Sequence, residues 1–365
     1  MFKHISKLII GFTLAGLALT GCGLNGGEGS PSTSPASSKT AAGNQEGRPV
    51  TIGLTYLPNV QFAPFYVAKD ENLFSWKSEA DTDNAQSIAL RHHGADEGLF
   101  NALMSGKEDM VVAFGDEATQ AISQGMPLSI IGVLYQRYPV VVIARHDSGI
   151  KTWQDLKGKT VGLPGRYGSN WFGFQAGLHA AGLSLDDVKV AEIGYTQQTQ
   201  LTTGKVDAVV GFSNNDLVRF QLAGVGVTTL TLPSETPLVG AVVVTTQEFA
   251  THEPEVCQAT VNGMAKAIHK ITADPETALA VTKKYDQTLT NDQAIAAARH
   301  VTEATNELIK LDHFDPKNPG AQSLVNPQKF RDMVTLLDKI GALSDKINLK
   351  NLDDQQVKKF VWPGV

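Results

Sequence analysis

The segment LMSGKEDMVVAF, residues 103–114, returns as LTTGKVDAVVGF at residues 201–212. The two segments carry the same residue at seven of twelve positions, under one constant offset. Each joins the pattern of a helix end, Leu-x-x-Gly-Lys, to an apolar run, Asp-x-Val-Val-x-Phe, that is typical of a buried strand. A unit that recurs in this way indicates a duplicated substructure. The sequence therefore predicts two halves that share one local plan.

A second pair of matching segments lies upstream of the first. The strand-like pattern Thr-x-Gly-Leu stands at residues 51–54 and again at residues 160–163. Each copy is followed at the same distance by an amide, an aromatic residue, two further residues and another aromatic residue, in QFAPFYVA and in NWFGFQAG. Because both repeats occur in the same order, we predict a ligand site between the halves, with one aromatic segment from each.

Short apolar runs alternate with helical patterns through the folded part of the chain. Runs such as VTIGLTYL, SIALRHH, DMVVAF, LSIIGVLY and VVVIAR are separated by such patterns, which predicts βαβ units and mainly parallel sheets. We expect an α/β fold with two lobes, residues 49–138 plus 240–365 and residues 139–239, joined by two connecting segments that act as a hinge. Ligands of open α/β sheets bind beyond the carboxyl ends of the strands, where both aromatic segments lie.

Composition and the amino-terminal sequence restrict the class of protein and indicate that it is exported. The chain has 365 residues, a net charge of −6 and 42% hydrophobic residues, which suits two globular domains of about 150 residues each. It has no basic stripe of the kind that binds nucleic acid. Residues 1–21 have the pattern of a signal peptide, with lysines before LIIGFTLAGLAL, a run too short to span a membrane.

The sequence LTGC, which ends at Cys22, resembles a bacterial lipobox. This implies cleavage before Cys22 and a lipid on its sulfur; the alternative is an ordinary signal peptide with an incidental cysteine. Residues 22–48 are rich in Gly, Ser and Pro and have few large apolar residues, which predicts a flexible tether. We expect a monomeric extracytoplasmic protein that is anchored to the cell membrane.

Motifs of common enzymes are missing from the sequence. It contains no G-x-S-x-G, no phosphate-binding G-x-x-x-x-G-K, no H-E-x-x-H and no cysteine pair fit for a metal. His92 and His93 lie on a predicted strand, so they face opposite sides and do not share one ion; His93 is the better candidate to face the cleft. Asp116 and Glu117 follow a strand without an identifiable partner acid. We expect no catalysis, metal or cofactor.

Amide side chains gather at or just past the predicted strand ends. An amide offers a donor and an acceptor together, and aromatic rings stack on flat ligands, so the combination favours a neutral heterocycle. An anion is usually bound by Arg, Lys or the N–H groups of a helix start, and Arg166 in PGRYGSNW is the one obvious cation, so an anionic ligand stays an alternative. The amides are Asn59, Gln61, Gln136, Asn170, Gln197, Gln198, Asn214 and Asn215.

With these residues the chain resembles the substrate-binding lipoproteins of ABC importers in the thiamine-pyrimidine-precursor and sulfonate-binding superfamily, which have a type II periplasmic-binding-protein fold. The resemblance covers residues 50 to about 343 and rests on PNVQFAPFYVAKDENLF, LFNALMSGKEDMVVAFGDEATQAISQGMPLSIIG, DLKGKTVGLPGRYGS and GKVDAVVGFSNND. The segments VQFAPFYVA and VVGFSNND are most similar to riboflavin-binding members. Pyrimidine-precursor binders tend to carry Trp and Asn-x-Asn-His where this chain has Tyr56 and Asn-x-Gln-Phe. Enzymes of pyrimidine synthesis on this fold carry a cysteine-rich iron motif that is missing here.

The resemblance implies a receptor that closes its lobes on riboflavin and delivers it to a permease driven by an ATPase. The alternatives are a thiamine pyrimidine precursor, a nitrate, sulfonate or taurine ligand, and a pyrimidine-synthesis enzyme. The resemblance places the ligand ring between Phe62, Phe65 or Tyr66 and Tyr167 or Trp171. It places the ribityl hydroxyls near Asp116, Ser169, Asn214 or Asn215. The repeat adds Phe174 to the candidate aromatic residues.

Overall fold

The computed structural model describes residues 48–76, 88–94 and 97–365, and the structural statements that follow concern those residues. The predicted signal peptide, the lipidation at Cys22 and nearly all of the predicted tether lie outside them. Arg48, the last residue of that tether, is described, and its guanidinium donates to the Asp109 carboxylate at 2.9 Å.

Two five-stranded sheets of identical order organise the described chain. Sheet A has the order β2-β1-β3-β10-β4, and sheet B has the order β7-β6-β8-β5-β9. The strands are β1 Val50–Leu54, β2 Ile88–His92, β3 Met110–Phe114, β4 Leu128–Val133, β5 Val140–Arg145, β6 Thr160–Leu163, β7 Lys189–Glu192, β8 Ala208–Phe212, β9 Val227–Thr231 and β10 Ala241–Thr246.

Each sheet is mixed: one strand, β10 in sheet A and β5 in sheet B, runs against the other four, which share one direction as predicted. In sheet A, β1 pairs in parallel with β2 and β3, whereas β10 is antiparallel to β3 and β4. In sheet B, β6 is parallel to β7 and β8, whereas β5 is antiparallel to β8 and β9. The strands β5 and β10 each arrive from the other sheet, and they therefore enter from the opposite end. The alternation of apolar runs does not encode that direction.

The two copies of the repeated unit have the same turn. Gly106 and Gly204 adopt φ values of 71° and 69°, in the left-handed region that glycine occupies without a steric penalty. Their N–H groups donate to the carbonyl oxygens of Leu103 and Leu201, each at 3.1 Å. The glycine of the repeat is thus explained by one backbone conformation used twice.

The aspartate of the repeat also has the same role in both copies. The Asp109 carboxylate accepts the N–H of Thr51 at 2.8 Å, and the Asp207 carboxylate accepts the N–H of Thr160 at 2.7 Å. Each aspartate therefore ties the start of the middle strand to the start of the strand with the Thr-x-Gly-Leu pattern. The two sequence repeats belong to one structural unit.

Helices cover both faces of each sheet. The apolar cores of sheet A involve α1 and α8 on one face and α3 and α11 on the other, and those of sheet B involve α4 on one face and α5 and α6 on the other. No helix in the described residues is long and apolar enough for a membrane span. The helices are α1 Ala63–Asp70, α2 Asn101–Met104, α3 Gly115–Ser123, α4 Gly168–Ala180, α5 Gln197–Thr202, α6 Asp216–Leu222, α7 Gln247–His252, α8 Pro254–Ala273, α9 Pro275–Thr282, α10 Asp292–Ile309, α11 Pro327–Lys339 and α12 Asp354–Val357.

Candidate ligand-binding site

The repeated strands of the two sheets end against each other. β3 ends at Phe114 and β8 ends at Phe212, and their ring centroids lie 5.3 Å apart. Tyr135 and Tyr138, from the segment between β4 and β5, approach the Phe114 ring edge-on, with centroids at 6.1 and 6.2 Å. We name these four residues the aromatic junction. It lies at the carboxyl ends of both middle strands, where open α/β sheets bind ligands.

An acidic contact joins the two sheets beside the aromatic junction. Asp116, in the first turn of α3 after β3, is fully buried. Its carboxylate accepts hydrogen bonds from the Tyr138 hydroxyl and, at 2.9 Å, from the Ser169 hydroxyl at the start of α4. Because α3 follows a strand of sheet A and α4 follows a strand of sheet B, this contact bridges the halves.

Glu117 reinforces the acidic contact. Its carboxylate accepts the N–H of Phe114 at 3.2 Å, and the nearby Ser169 backbone favours its charged form. Gly168 makes room for this approach, because a Cβ at that position would lie 2.9 Å from Glu117 Oε1. Gly168 also adopts a φ of 66°, which other residues rarely adopt. The glycine in the sequence YGSN is therefore explained by the carboxylate from the other half.

Burial changes the acidity of this pair. Burial raises the pKa of Asp116 to about 6, and hydrogen bonds from Tyr138 and Ser169 limit the rise. Burial and the neighbouring charge of Asp116 raise the pKa of Glu117 to about 8. No cationic side chain among the described residues contributes to either pKa shift. The acidic contact is thus held by hydroxyl and N–H donors rather than by an ion pair.

An amide contact joins the halves on the other side of the aromatic junction. Asn214 stands after β8 at the offset that matches Asp116 after β3, and it is also fully buried. Its Nδ2 donates to the Tyr135 hydroxyl at 3.1 Å and to the Thr305 hydroxyl of α10 at 3.0 Å. The helix α10 packs over sheet A against α8 and α9, so this contact also bridges the halves.

Two buried amide oxygens in this part of the chain have no hydrogen-bond donor in the described structure. They are Oδ1 of Asn214, at the amide contact, and Oδ1 of Asn170, which follows Ser169 on α4. A buried acceptor without a donor costs about 1–3 kcal/mol. Both oxygens are therefore acceptors that no described group of the protein satisfies.

The second aromatic residue of each aromatic segment is a core residue. Phe65 and Phe174 are fully buried, in the cores of sheet A and sheet B respectively. The prediction that they contact a ligand is wrong, because each lies in the first turns of a helix and faces its own sheet. Tyr66, another predicted ligand contact, is fully buried as well and stacks on Tyr285 with centroids 4.1 Å apart.

The first aromatic residue of each segment is less buried. Phe62 is 7% exposed, and its ring meets His92 edge-on with centroids 5.6 Å apart. Trp171 is half-buried against the cores of both sheets. The Arg166 guanidinium lies 5.3 Å from the Trp171 ring centroid, and its Nε donates to Glu192 at 3.2 Å. The one obvious cation of the sequence is therefore engaged with a carboxylate.

The histidine predicted to face the cleft is buried elsewhere. His93 is 3% exposed, and its Nε2 lies 2.9 Å from both carboxylate oxygens of Glu108. The prediction for His93 is wrong because Gly53, which has no side chain, leaves space for Glu108 on that face of sheet A. His92 is instead the histidine beside the first aromatic segment, with its Nε2 3.0 Å from the Tyr66 hydroxyl.

The other predicted amides are dispersed. Asn59 Oδ1 accepts the N–H of Gln61 at 2.8 Å and begins the short 3-10 helix Val60–Phe62. Gln136 Nε2 donates to the carbonyl of Val133 at 3.2 Å. Asn215 precedes α6 and makes no side-chain cap hydrogen bond. Asn59 and Gln136 therefore make local hydrogen bonds within their own segments.

A separate polar cavity lies at the carboxyl ends of β7 and β8. Its volume is about 130 Å³, and the predicted site residues Gln197 and Gln198 line it. Tyr167, also predicted as a ligand contact, is 60% exposed and lies near Tyr195. The other lining residues are Tyr195, Thr196, Thr199, Asp216, Arg219 and Phe220.

Some residues of the site are predictable from the sequence and others are not. Asp116, Ser169 and Asn214 are predicted site residues, and the structure places them at the contacts between the halves. Phe114 and Phe212 are not predicted as site residues, although the repeat ends on this aromatic residue in both copies. The partner residues on the connecting segment and on α10 carry no local signal, since they meet the site only through the fold.

Two sheets of equivalent order, linked by two chain passages and meeting at the ends of their middle strands, form the type II periplasmic-binding-protein fold. The aliphatic sulphonate binding protein SsuA from Escherichia coli is similar, with a TM-score of 0.65 and 17% identity over 87% of this chain and 93% of that chain. The alkanesulfonate-binding protein SsuA from Xanthomonas axonopodis pv. citri, bound to MOPS, has a TM-score of 0.60 and 17% identity over 82% of this chain and 96% of that one. At 17% identity, this structural similarity establishes a shared fold and nothing further.

The family follows from sequence comparison. The profile described as NMT1/THI5 like matches residues 59–278. The riboflavin-binding protein RibY of Chloroflexus aurantiacus is 30% identical over 254 residues, which are 67% of this chain and 70% of that protein. The chain belongs to the NMT1/THI5-like family of substrate-binding proteins.

Other relatives are named for thiamine metabolism. A putative thiamine biosynthesis protein of Haemophilus influenzae is 30% identical over 180 residues, 47% of this chain and 53% of that protein. The 4-amino-5-hydroxymethyl-2-methylpyrimidine phosphate synthase of Legionella pneumophila is 27% identical over 172 residues, 47% of this chain and 52% of that protein. The chain thus spans about half the length of these two relatives.

Proposed function

We propose that this protein is the solute-binding component of an ABC import system and that it captures a neutral planar heterocycle, with riboflavin as the favoured ligand. The observation that supports this most directly is the unpartnered amide oxygen of Asn214, whose Nδ2 donates to Tyr135 of the aromatic junction, together with the unpartnered oxygen of Asn170, next to Ser169 on α4. The relative that binds riboflavin by name supports the choice of ligand.

The chemistry of riboflavin matches this arrangement. Its uracil-like edge has an N–H between two carbonyl groups, and that N–H is the donor that a buried amide oxygen lacks. Its flat ring system stacks on aromatic faces, which the aromatic junction supplies. At about 0.3 kcal/mol per atom, roughly 27 non-hydrogen atoms give ~8 kcal/mol, which corresponds to micromolar binding.

Binding and closure are coupled in this proposal. The acidic contact and the amide contact both join elements of sheet A to elements of sheet B, so separation of the halves breaks both. A ligand that supplies a donor to Asn214 in the closed form stabilises that form relative to the open one. The closed shape is then what a permease with its ATPase recognises, and the lipid on Cys22 keeps the protein at the membrane.

A thiamine pyrimidine precursor is the second candidate ligand. It is favoured by the relatives named for thiamine biosynthesis and pyrimidine phosphate synthesis. An aminopyrimidine is also flat and neutral and carries N–H donors, so it suits the same oxygens. A receptor binds either compound without converting it, whereas a synthase consumes it.

The test is a fluorescence titration of riboflavin with the purified protein, preceded by mass spectrometry of any copurified molecule. We expect quenching of flavin fluorescence on binding, because stacked aromatic rings deactivate the excited flavin, and unchanged riboflavin after release. A parallel thermal-shift panel contains riboflavin phosphate, thiamine, aminopyrimidines, taurine and nitrate. Stabilisation by an aminopyrimidine with no flavin quenching would reject riboflavin in favour of the second candidate.

A further inference from the structure

The start of helix α4 is occupied by carboxylates from the other half of the protein. The helix has 13 residues, Gly168–Ala180. The N–H groups of a helix start attract anions, because they have no partner within the helix and lie at the positive end of its dipole. Here the Ser169 hydroxyl donates to Asp116 at 2.9 Å, and the Ser169 backbone favours the charged form of Glu117.

The fit of Glu117 is close. Gly168 Cα carries no side chain, and an added Cβ would lie 2.9 Å from Glu117 Oε1. Asp116 is 0% exposed and has donors from Tyr138, Ser169 and the Glu117 backbone. A free anion that approached this helix start would have to displace one of these carboxylates.

Electrostatics oppose such an anion as well. In the described residues no Lys, Arg or His forms an ion pair with Asp116 or Glu117, and Arg166, the cation nearest in sequence to α4, pairs with Glu192. The charge of the acidic contact is therefore not neutralised nearby. A second negative group in this low-dielectric position is repelled.

We propose that Asp116 and Glu117 form an internal anion that fills the start of α4 and excludes free anions from the ligand site. This inference rests on the proposed function, since it assumes that the ligand binds at the aromatic junction. It assigns to Glu117 a role in specificity: the residue decides which ligands are rejected, and it need not contact the ligand that is accepted. The sulfonate-type alternative is the one that it disfavours.

The test measures binding of methanesulfonate and sulfate to the full-length protein by calorimetry in low-chloride buffer at pH 9, where Glu117, with a pKa of about 8, is ionised. Glu117→Ala empties the position at the start of α4, and Glu117→Gln keeps its shape while it removes the charge. Asp186→Ala is the matched control, because it removes one exposed carboxylate from the half that contains α4 and leaves the ion pair of Arg166 with Glu192 in place. Riboflavin titrations of the same four proteins are run in parallel.

We expect no measurable anion binding by the unmodified protein and by Asp186→Ala. Glu117→Ala should bind methanesulfonate with an affinity at least about tenfold above the detection limit of the titration, and Glu117→Gln with an affinity about threefold above that limit. If Glu117→Ala fails to fold, Glu117→Gln decides the test. Anion binding by the unmodified protein, or variants at position 117 that bind no better than Asp186→Ala, would overturn the inference.

The riboflavin arm separates this result from the proposed function. Failure of the unmodified protein to bind riboflavin rejects the favoured ligand, whatever the anions do. Failure of the Glu117 variants to gain anion binding rejects the internal anion, even if riboflavin binds to every protein.

Discussion

Asp116 and Asn214 occupy the same position in the two halves, and their difference is instructive. Each follows the repeated strand at the same offset, is fully buried, and contacts a tyrosine of the connecting segment and a hydroxyl group on a helix of the other half. The acid has donors on both carboxylate oxygens, whereas the amide leaves its oxygen open. One copy of the duplicated structure thus closes the contact between the halves, and the other keeps an acceptor for a ligand.

The largest expected effect follows from removal of the open acceptor. Asn214→Ala should weaken riboflavin binding by about 30- to 100-fold, because a hydrogen bond from the ligand to a buried amide and its burial are lost together, about 2–3 kcal/mol. Fluorescence titration measures this change.

Asn306→Ala is the matched control for that variant. Asn306 is a buried amide of α10 whose oxygen also lacks a partner, but its Nδ2 donates to Ile271 of α8 at 3.3 Å, away from the aromatic junction. It should lose stability and keep its affinity. Equal losses of affinity in both variants would show that an unpartnered amide oxygen has no special role at position 214.

A pH series tests the acidic side of the comparison. The folded-state pKa values of Asp116 and Glu117, about 6 and about 8, lie above the ordinary carboxyl values near 4. The folded protein therefore retains protons that the unfolded chain has lost, and the contribution of this pair to the free energy of unfolding should fall as pH rises from about 4 to about 8. Urea denaturation at pH 5 and pH 8 measures the difference.

Glu117→Gln removes one titrating group from that series and should flatten it. The other titratable groups that interact with this pair are the hydroxyls of Tyr138 and Tyr195, and tyrosines ordinarily titrate near pH 10, above this window. A pH dependence that is unchanged in Glu117→Gln would mean that other groups cause it.

The smallest expected effect concerns Gly168, the first residue of α4, which lies against the Glu117 carboxylate. Gly168→Ala should lower the free energy of unfolding by about 2 kcal/mol, since it adds a left-handed alanine and a contact with Glu117. Gly182→Ala, at a φ of 71° with nothing within 4 Å of its added Cβ, should cost only the backbone part, about 1 kcal/mol. Chemical denaturation of both variants measures the difference, and equal costs would indicate that Glu117 moves aside freely.

Much of the fold could be predicted from the repeats. The Gly106 and Gly204 turns and the aspartate bonds to Thr51 and Thr160 recur because one unit of chain folds in the same way twice. The direction of β5 and β10 could not be predicted, since a buried strand has the same apolar composition in either direction.

The site was only partly predictable, for a different reason. Asp116 and Asn214 stand at visible strand ends, but the hydroxyl that Asn214 binds on α10 lies 91 residues away along the chain. The local sequence around Phe65 and Phe174 fits a ligand contact and a core residue equally well, because an aromatic residue that follows a strand can have either role. Only the burial of each side chain in the folded chain separates these possibilities.

The register of β5 and β10 has a mechanical consequence. Phe114 is paired with Ala241 at the first residue of β10, and Phe212 is paired with Val140 at the first residue of β5. Both rings therefore stand where the chain passes from one half into the other, close to any axis about which the halves rotate. Because displacement in a rotation grows with distance from its axis, we expect these rings to keep their spacing while the outer rim swings wide. A ligand that enters the open form would then contact an aromatic junction that already has its final arrangement. The remaining contacts would form as the halves close.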